Sequence, residues 1–417
     1  MSGTGEPEAL RAEVAAWLAE HWDPERPLAE WRALLVDSGW GCPTWPTDRY
    51  GRGLEPRAAA VVTEEFARVG AVGPATGSGM NLAAPTILRH GSDELARRLL
   101  RGIVTGQDKW CQLFSEPGNG SDLAGLTTRA ERDGDEWVVS GQKVWTTGAR
   151  DAAFGMLLAR TSFDVPKHRG ITYFALPMRQ AGVEVRPLRQ MNNYSSFNEV
   201  FLTEARVRGA NVVGEVHDGW AAALTTLAHE RGLGANRIGL IGSRSSGRTA
   251  REAATEAEEV NATYVWYPQR AGRADLVPEQ ATATGAGPVH RQAVADVIAR
   301  ARTARWNVER SRLAAERGRP PGPEGSVAKL AGSDIARRSA AVHGALVGAA
   351  AMLSGPDSPL DGIVAEILVS VPGGSIAGGT DEIQKNIVGE RALGLPREPS
   401  VDADIPFSQV LTNRRPG

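Results

Sequence analysis

The chain reads as an α+β protein that runs from helices through a strand-rich middle and back to helices. Three observations carry this. Over the first hundred residues apolar side chains recur at helical spacing, in Leu10, Val14, Trp17 and Leu18 and again in Val62, Phe66 and Val69. From about residue 110 to 210 the pattern changes to short runs rich in β-branched, aromatic and other apolar residues, parted by turn signals such as Asp133-Gly134-Asp135. After Gly214 the helical period returns and continues to about Leu393. The 417 residues therefore divide into a helical domain over 1–109, a strand domain over 110–212, a helical bundle over 213–397 and an extended, weakly ordered tail over 398–417.

Within this order, the link between the first two apolar stripes is rich in turn signals, and Gly39, Gly41, Pro43, Pro46 and Gly51 break any helix over that stretch. Strands are expected at Glu136–Ser140, Lys143–Thr147, Phe154–Thr161, Gly170–Leu176, Val183–Leu188 and Glu199–Val207. Two interruptions of the C-terminal helices, Pro268–Pro288 and Arg317–Gly325, read as surface loops. The small-apolar run Val342–Leu353 is too short to span a bilayer and reads as a core helix, so no membrane partner is expected.

With 41% hydrophobic residues and a formal charge of −2, nothing in the composition favours nucleic acid or an acidic solvating arm. Two cysteines, Cys42 and Cys111, cannot build a disulfide framework, and the first residues lack the pattern of a signal peptide. A reducing cytoplasm is expected, and no metal centre.

Residues 110–122, Trp-Cys-Gln-Leu-Phe-Ser-Glu-Pro-Gly-Asn-Gly-Ser-Asp, run as an apolar strand into Ser115 and then break at Pro117, Gly118 and Gly120. Such a turn exposes backbone N–H groups beside two hydroxyls, which suits a flat cofactor carrying phosphates; a plain strand-to-turn exit fits equally. Trp145 and Thr147 stand two apart on a strand, hence on one face, where an indole can stack on a conjugated ring beside a hydroxyl donor. The same pattern also describes a strand with one buried Trp.

Gly378-Gly379-Thr380-Asp381-Glu382-Ile383-Gln384 starts a helix with Thr380 as N-cap, either an anion seat or only a cap. Asp218 stands where it can cap a helix through Trp220, Leu224, Leu227 and Glu230. That spacing places the Glu230 carboxylate on an apolar stripe, as a functional group or as the ion-pair partner of Arg231 or Arg237.

Taken together and in this order, from Gly39-Trp40 and Trp45-Pro46 through Ser115-Glu116-Pro117-Gly118-Asn119-Gly120-Ser121-Asp122 and Trp145-Thr146-Thr147 to Gly379-Thr380-Asp381-Glu382-Ile383-Gln384, the motifs resemble the acyl-CoA dehydrogenase family over roughly residues 8–397. The resemblance implies an N-terminal helical domain, a central β-barrel, a C-terminal four-helix bundle and FAD. It implies that Phe114, Ser115, Gly120, Ser121, Trp145 and Thr147 contact the cofactor, Ser115 at the flavin, Ser121 near the pyrophosphate, and Trp145 and Thr147 at the isoalloxazine and its N5 edge. Gln292, Gly379, Thr380 and Glu382 match further cofactor positions, and Arg231, Tyr194 and Ala377 match substrate positions.

This sequence also departs from the family. The glutamate that often precedes the final Gly-Thr is Gly378 here, with Ala377 where an aromatic is common. Glu230-Arg231 matches branches that carry the base on the first helix of the bundle. The usual Arg and Phe contacts to FAD are not apparent in Ala281–Thr284, and the glycine-rich loop around Leu346–Gly355 is poorly matched.

The implied activity is α,β-dehydrogenation of a CoA or acyl-carrier thioester. Glu230 removes the α proton, a β hydride passes to flavin N5, and the Gly378 N–H faces the thioester oxygen. The resemblance also implies an electron-transfer flavoprotein as acceptor and a homo-oligomer, dimer or tetramer, with a hetero-oligomer as the alternative. Space left at Ala377 and Gly378 would admit a branched, cyclic or bulky acyl group unless Tyr194 or Phe197 fills it. A flavin monooxygenase and a non-catalytic subunit are the alternatives on the same fold.

Overall fold

The computed structural model describes residues 5–236, 244–317, 319 and 322–410. Five helices come first: α1 (Gly5–His21), α2 (Leu28–Ser38), α3 (Pro56–Val69), α4 (Ala84–His90) and α5 (Asp93–Thr105). The expected stripes lie on α1 and α3, and Val14, Leu18, Val62 and Phe66 share a core with Trp31 of α2. Trp31 is fully buried, and its indole N–H donates to the Val72 carbonyl at 2.7 Å, which satisfies the one polar atom that burial would strand. At Gly39, φ is +76° and an added Cβ would lie 2.6 Å from the Gly51 carbonyl oxygen. Glycine therefore both ends α2 and lets the Pro-rich link return against it.

Seven strands follow: β1 (Trp110–Leu113), β2 (Arg129–Asp133), β3 (Glu136–Thr147), β4 (Phe154–Arg160), β5 (Ile171–Pro177), β6 (Val183–Leu188) and β7 (Phe197–Arg208). They form one curled sheet in the order β1-β4-β2-β3-β7-β6, with β5 paired to β4. Leu113, Val139, Phe174, Val200 and Leu202 fill one of its faces. Glu136–Ser140 and Lys143–Thr147, expected as two strands, are one strand with irregular pairing at Gly141 and again between Lys143 and Thr146. β2 was not expected, because four of its five residues are polar and exposed.

Two further helices, α6 (Gly219–Asn236) and α7 (Gly247–Thr263), group with the sheet and the first five helices in one compact unit, together with residues 401–410. The second unit comprises Arg189–Ser195 and Tyr264–Ser400. It contains α8 (Tyr267–Arg270), α9 (Val277–Ala283), α10 (Pro288–Glu316), α11 (Glu324–Val347), α12 (Ile363–Ser370), α13 (Pro372–Ile376) and α14 (Asp381–Ala392).

Three expectations are corrected. Pro268–Pro288 is not a plain surface loop: Val277 is fully buried and, with Ala281 and Ala286, forms a core with Val294, Val297 and Val342. The Arg317–Gly325 break is shorter, since α11 already starts at Glu324. Beyond α14, among the described residues up to 410, the tail holds only a short turn of helix at Phe407–Gln409, and Phe407 is buried. Within Pro359–Ala392 an 18-residue stretch is as apolar as a membrane span, with mean hydropathy 1.4, but α12, α13 and α14 divide the segment.

Candidate active site

Strand alternation sets the first part of the site. Cys111 and Leu113 of β1 enter the sheet core, while Trp110 and Phe114 join the core shared with α4, α5 and α6. Gln112, between them in a period of two, lies half-buried on that helical side. The chain then reverses around Pro117 and Gly118, with Glu116 and Asn119 exchanging backbone hydrogen bonds of 3.0 Å.

Glu116 fixes this turn. Its buried carboxylate accepts the N–H groups of Thr127 and Thr128 at 2.8 Å, the Thr127 hydroxyl at 2.9 Å and the Lys143 ammonium at 3.1 Å. Burial alone would raise its pKa, but the Lys143 charge and the converging donors outweigh that and bring it down to about 2. Lys143 is itself fully buried and also donates to the Phe114 carbonyl at 3.1 Å. Burial pulls its pKa down and the Glu116 carboxylate opposes the fall. The Ser115 carbonyl accepts the Val144 N–H at 2.9 Å, so the loop is clamped to β3.

The bulge that follows Lys143 presents Trp145. This residue has φ +63°, a left-handed conformation that costs a residue with a Cβ about 1–2 kcal/mol. Its indole is 55% exposed, edge-on to Phe197 at 5.6 Å. Thr146 is buried, its carbonyl held by the Asn198 amide at 2.9 Å, and Thr147 is half-buried. Trp145 and Thr147 thus both reach the accessible side. Gly118 and Gly120 are exposed, with open space where a Cβ would stand, and Ser121 is exposed beyond them.

α6 carries Glu230. Its buried side is Ala222, Ala223 and Thr226, flanked by Trp220 and Leu227; Leu224, expected on the apolar stripe, is 44% exposed. The Thr226 hydroxyl meets Thr86 at 2.8 Å and the Tyr173 hydroxyl at 3.2 Å, which fixes the helix in rotation. Tyr173 in turn meets Phe114 edge-on at 5.9 Å. Glu230 lies one turn beyond Thr226 on the same side. There the Gln112 amide donates to its carboxylate at 3.2 Å. Asp218 directly precedes α6 and bridges to Ile171. The side chain of Arg231 and all of Arg237 lie outside the described residues.

In the second unit, Ala377 and Gly378 are exposed ahead of α14. Gly378 has φ +68° and Gly379 φ +83°. The fully buried Gln384 donates to their carbonyls at 3.0 and 3.4 Å, and a Cβ on Gly379 would lie 2.5 Å from its amide nitrogen. Thr380 caps α14 by accepting the Ile383 N–H at 3.2 Å. Asp381 is buried against Lys329, at 2.7 Å, and Arg337. Burial pushes its pKa up, but those two cations hold it well below the usual carboxylate range. Glu382 and Gln292 are exposed on their helices. Tyr194 stacks on Trp266 at 6.4 Å, and burial, with Glu366 beside it, raises its phenol pKa.

Comparison with known proteins bears directly on these motifs. The chain matches the family models of the acyl-CoA dehydrogenase N-terminal domain over residues 6–107, middle domain over 111–204 and C-terminal domain over 276–393. It is 32% identical to acyl-CoA dehydrogenase IpdE1 of Mycobacterium tuberculosis, covering 94% of this chain and 98% of that one. The chain belongs to the acyl-CoA dehydrogenase family. Acyl-CoA dehydrogenase FadE34 of the same organism is 37% identical over 93% of this chain, which spans about half (49%) of its length. Among solved structures, the ChsE4–ChsE5 complex of M. tuberculosis matches with TM-score 0.63 and 29% identity, covering 95% of this chain and all (100%) of that chain. A variant of a Tcur3481–Tcur3483 steroid ACAD matches with TM-score 0.63 and 27% identity at the same coverage, 95% and 100%.

Acyl-CoA dehydrogenases are FAD-dependent, and the residues present fit that cofactor. Trp145 offers an open indole face held out by a strained backbone, and the Gly118–Ser121 turn offers accessible backbone beside a hydroxyl. Phe114, Ser115, Gly120, Ser121, Trp145, Thr147 and Glu230 fall in one unit, and Tyr194, Gln292, Ala377, Gly378, Gly379, Thr380 and Glu382 in the other. Phe114 is buried in the helical core rather than open. Sequence reasoning missed Gln112, Lys143, Asp381 and Gln384. A polar residue inside an apolar strand is the signal that singles out Gln112 and Lys143.

Proposed function

We propose that this chain catalyses α,β-dehydrogenation of an acyl-CoA or acyl-carrier thioester, with Glu230 as the base. The contact between Glu230 and Gln112 supports this most, since it sets a carboxylate beside the strand that leads into Ser115. FAD, when bound, supplies the acceptor for the β hydride. Glu230 takes the α proton. The Gly378 N–H stabilises charge on the thioester oxygen. Ser115, Ser121, Trp145 and Thr147 hold the cofactor from the sheet, with Gly120 giving close backbone approach and Phe114 packed behind. Gln292, Gly379, Thr380 and Glu382 contribute from the second unit, and Arg231 and Tyr194 contact the substrate.

The acyl group is bulky and ring-bearing. Ala377 and Gly378 leave exposed backbone where longer side chains are common, and the similar Tcur3481–Tcur3483 protein is named a steroid ACAD. Reducing equivalents leave to an electron-transfer flavoprotein, and the protein works in the cytoplasm, in keeping with two free, buried cysteines. It is a dimer or tetramer: Val289, Trp306, Leu313, Met352 and Ile376 of the second unit are exposed and apolar. Purified protein is expected to be yellow, and under anaerobic conditions ring-bearing thioesters should bleach it faster than straight-chain ones. A colourless protein that cannot be reconstituted with FAD would end the enzyme reading.

A second reading is a non-catalytic subunit of a heteromer, favoured by Gly378 and by neighbours named as pairs of chains. Flavin uptake only in the presence of a second, co-expressed chain would select it.

A further inference from the structure

The segment that follows the last helix is tied back onto the loop between Ser115 and Thr128 at two points. Phe407 is buried, its ring 3.5 Å from the Arg160 guanidinium and edge-tilted against Phe163 at 5.9 Å. The backbone pins it there, Phe407 N–H to the Val165 carbonyl at 2.9 Å and Ser408 N–H to the Phe163 carbonyl at 2.8 Å. Arg160, fully buried at the end of β4, spends its donors on that loop: Nη2 to the Ala124 carbonyl at 2.6 Å and Nε to the Leu126 carbonyl at 3.1 Å, with Nη1 on the Lys167 carbonyl at 3.1 Å. The second point is Lys167, whose ammonium bridges Asp402 at 2.8 Å and Asp122 at 3.2 Å. Asp122 directly follows Ser121.

We infer that Phe407 and Asp402 are positioning residues for FAD: the C-terminal segment sets the Gly118–Thr128 loop through Arg160 and Lys167. A guanidinium covered by an aromatic face loses water and freedom, so its hydrogen bonds to Ala124 and Leu126 hold one geometry. Without Phe407, water reaches Arg160 and the loop carbonyls lose a fixed donor. Without Asp402, Lys167 retains only Asp122 and the turn after Ser121 loosens. The inference rests on the assignment of the Ser115–Ser121 loop to FAD.

The test is FAD affinity of the full chain, measured by flavin fluorescence during reconstitution of apoprotein, beside the melting temperature of the apoprotein. Phe407→Ala should weaken FAD binding about tenfold, the scale of a desolvated cation–π contact, with Phe407→Tyr restoring it. Asp402→Asn should weaken binding in the same direction, and serves if Phe407→Ala does not fold. Ser121→Ala separates the two ideas. If Ser121→Ala weakens FAD while the Phe407 and Asp402 variants bind as wild type, the C-terminal segment plays no part in positioning and the loop assignment stands. If Ser121→Ala also binds as wild type, the loop assignment falls and the inference with it. An apoprotein melting shift with unchanged FAD affinity would reduce Phe407 to a packing residue.

Discussion

The side-chain amide of Gln112 donates to the carboxylate of Glu230 at 3.2 Å, joining β1 to a helix more than a hundred residues later. Strand alternation turns Gln112 toward the helices, and Thr226, held by Thr86 and Tyr173, fixes the rotation of α6 so that Glu230 comes to meet it. The first prediction concerns the acid. Glu230→Gln should retain FAD and substrate but slow anaerobic flavin reduction by about 10²-fold or more, the scale of losing a general base. Glu382→Gln, exposed at the start of α14, is the control and should reduce its flavin far faster. Wild-type kinetics in Glu230→Gln would remove this residue from the reaction.

Gln112→Leu keeps the strand and deletes the donor. A hydrogen bond to a charged partner is worth about 1.5–3 kcal/mol, so flavin reduction should slow by roughly ten- to a hundredfold while FAD affinity holds. An unchanged rate would mean that Glu230 is positioned by its other contacts.

At the start of α14 the two glycines should respond differently. Gly379→Ala meets both a left-handed backbone and the Gln384 amide 2.5 Å away, so melting should fall by more than the roughly 1–2 kcal/mol of the backbone term alone. Gly378→Ala carries the same backbone cost with open space around it. Gly378→Leu adds volume to that cost. Relative to Gly378→Ala it should select against ring-bearing thioesters and spare straight chains, read by flavin bleaching. Equal selectivity in the two variants would defeat the proposed acyl pocket.

Glu116 predicts an acid limit. Its pKa is depressed from 4.5 to about 2 in the folded chain, so the unfolded chain binds the extra proton between those values. The stability it contributes is complete above about pH 4.5 and is lost as pH falls toward 2. Glu116→Gln leaves Lys143 buried and unpaired, which should cost about 3–5 kcal/mol at neutral pH and flatten the acid side of the melting profile. Pairing it with Lys143→Met should recover much of that loss. Steep acid dependence surviving in Glu116→Gln would assign it to other carboxylates.

The helix–strand–helix order, the apolar stripes of α1 and α3 and the loop and bulge motifs could all be read from the sequence, because each rests on local periodicity or turn chemistry. What escaped depended on partners far away in the chain. β2 hides because its polar residues face solvent. α9 is only seven residues long, and its Val277 and Ala281 are buried because α10 and α11 cover them. Leu224 looked like core, yet Ala222, Ala223 and Thr226 pack more closely and turn it outward. Gln384 and Asp381 sit inside a recognised motif, but only their burial shows that one holds the glycine turn and the other pins the helix to α11.

The bond from Val144 N–H to the Ser115 carbonyl, with Lys143 reaching Phe114, makes the two sheet motifs a single mechanical part. Substitutions in one will therefore not add to substitutions in the other, since either displaces both. For anyone recombining segments between relatives, residues 110–128 and 141–147 form one heritable block. A crossover placed between them separates a clamp from what it holds, however well each half matches its parent.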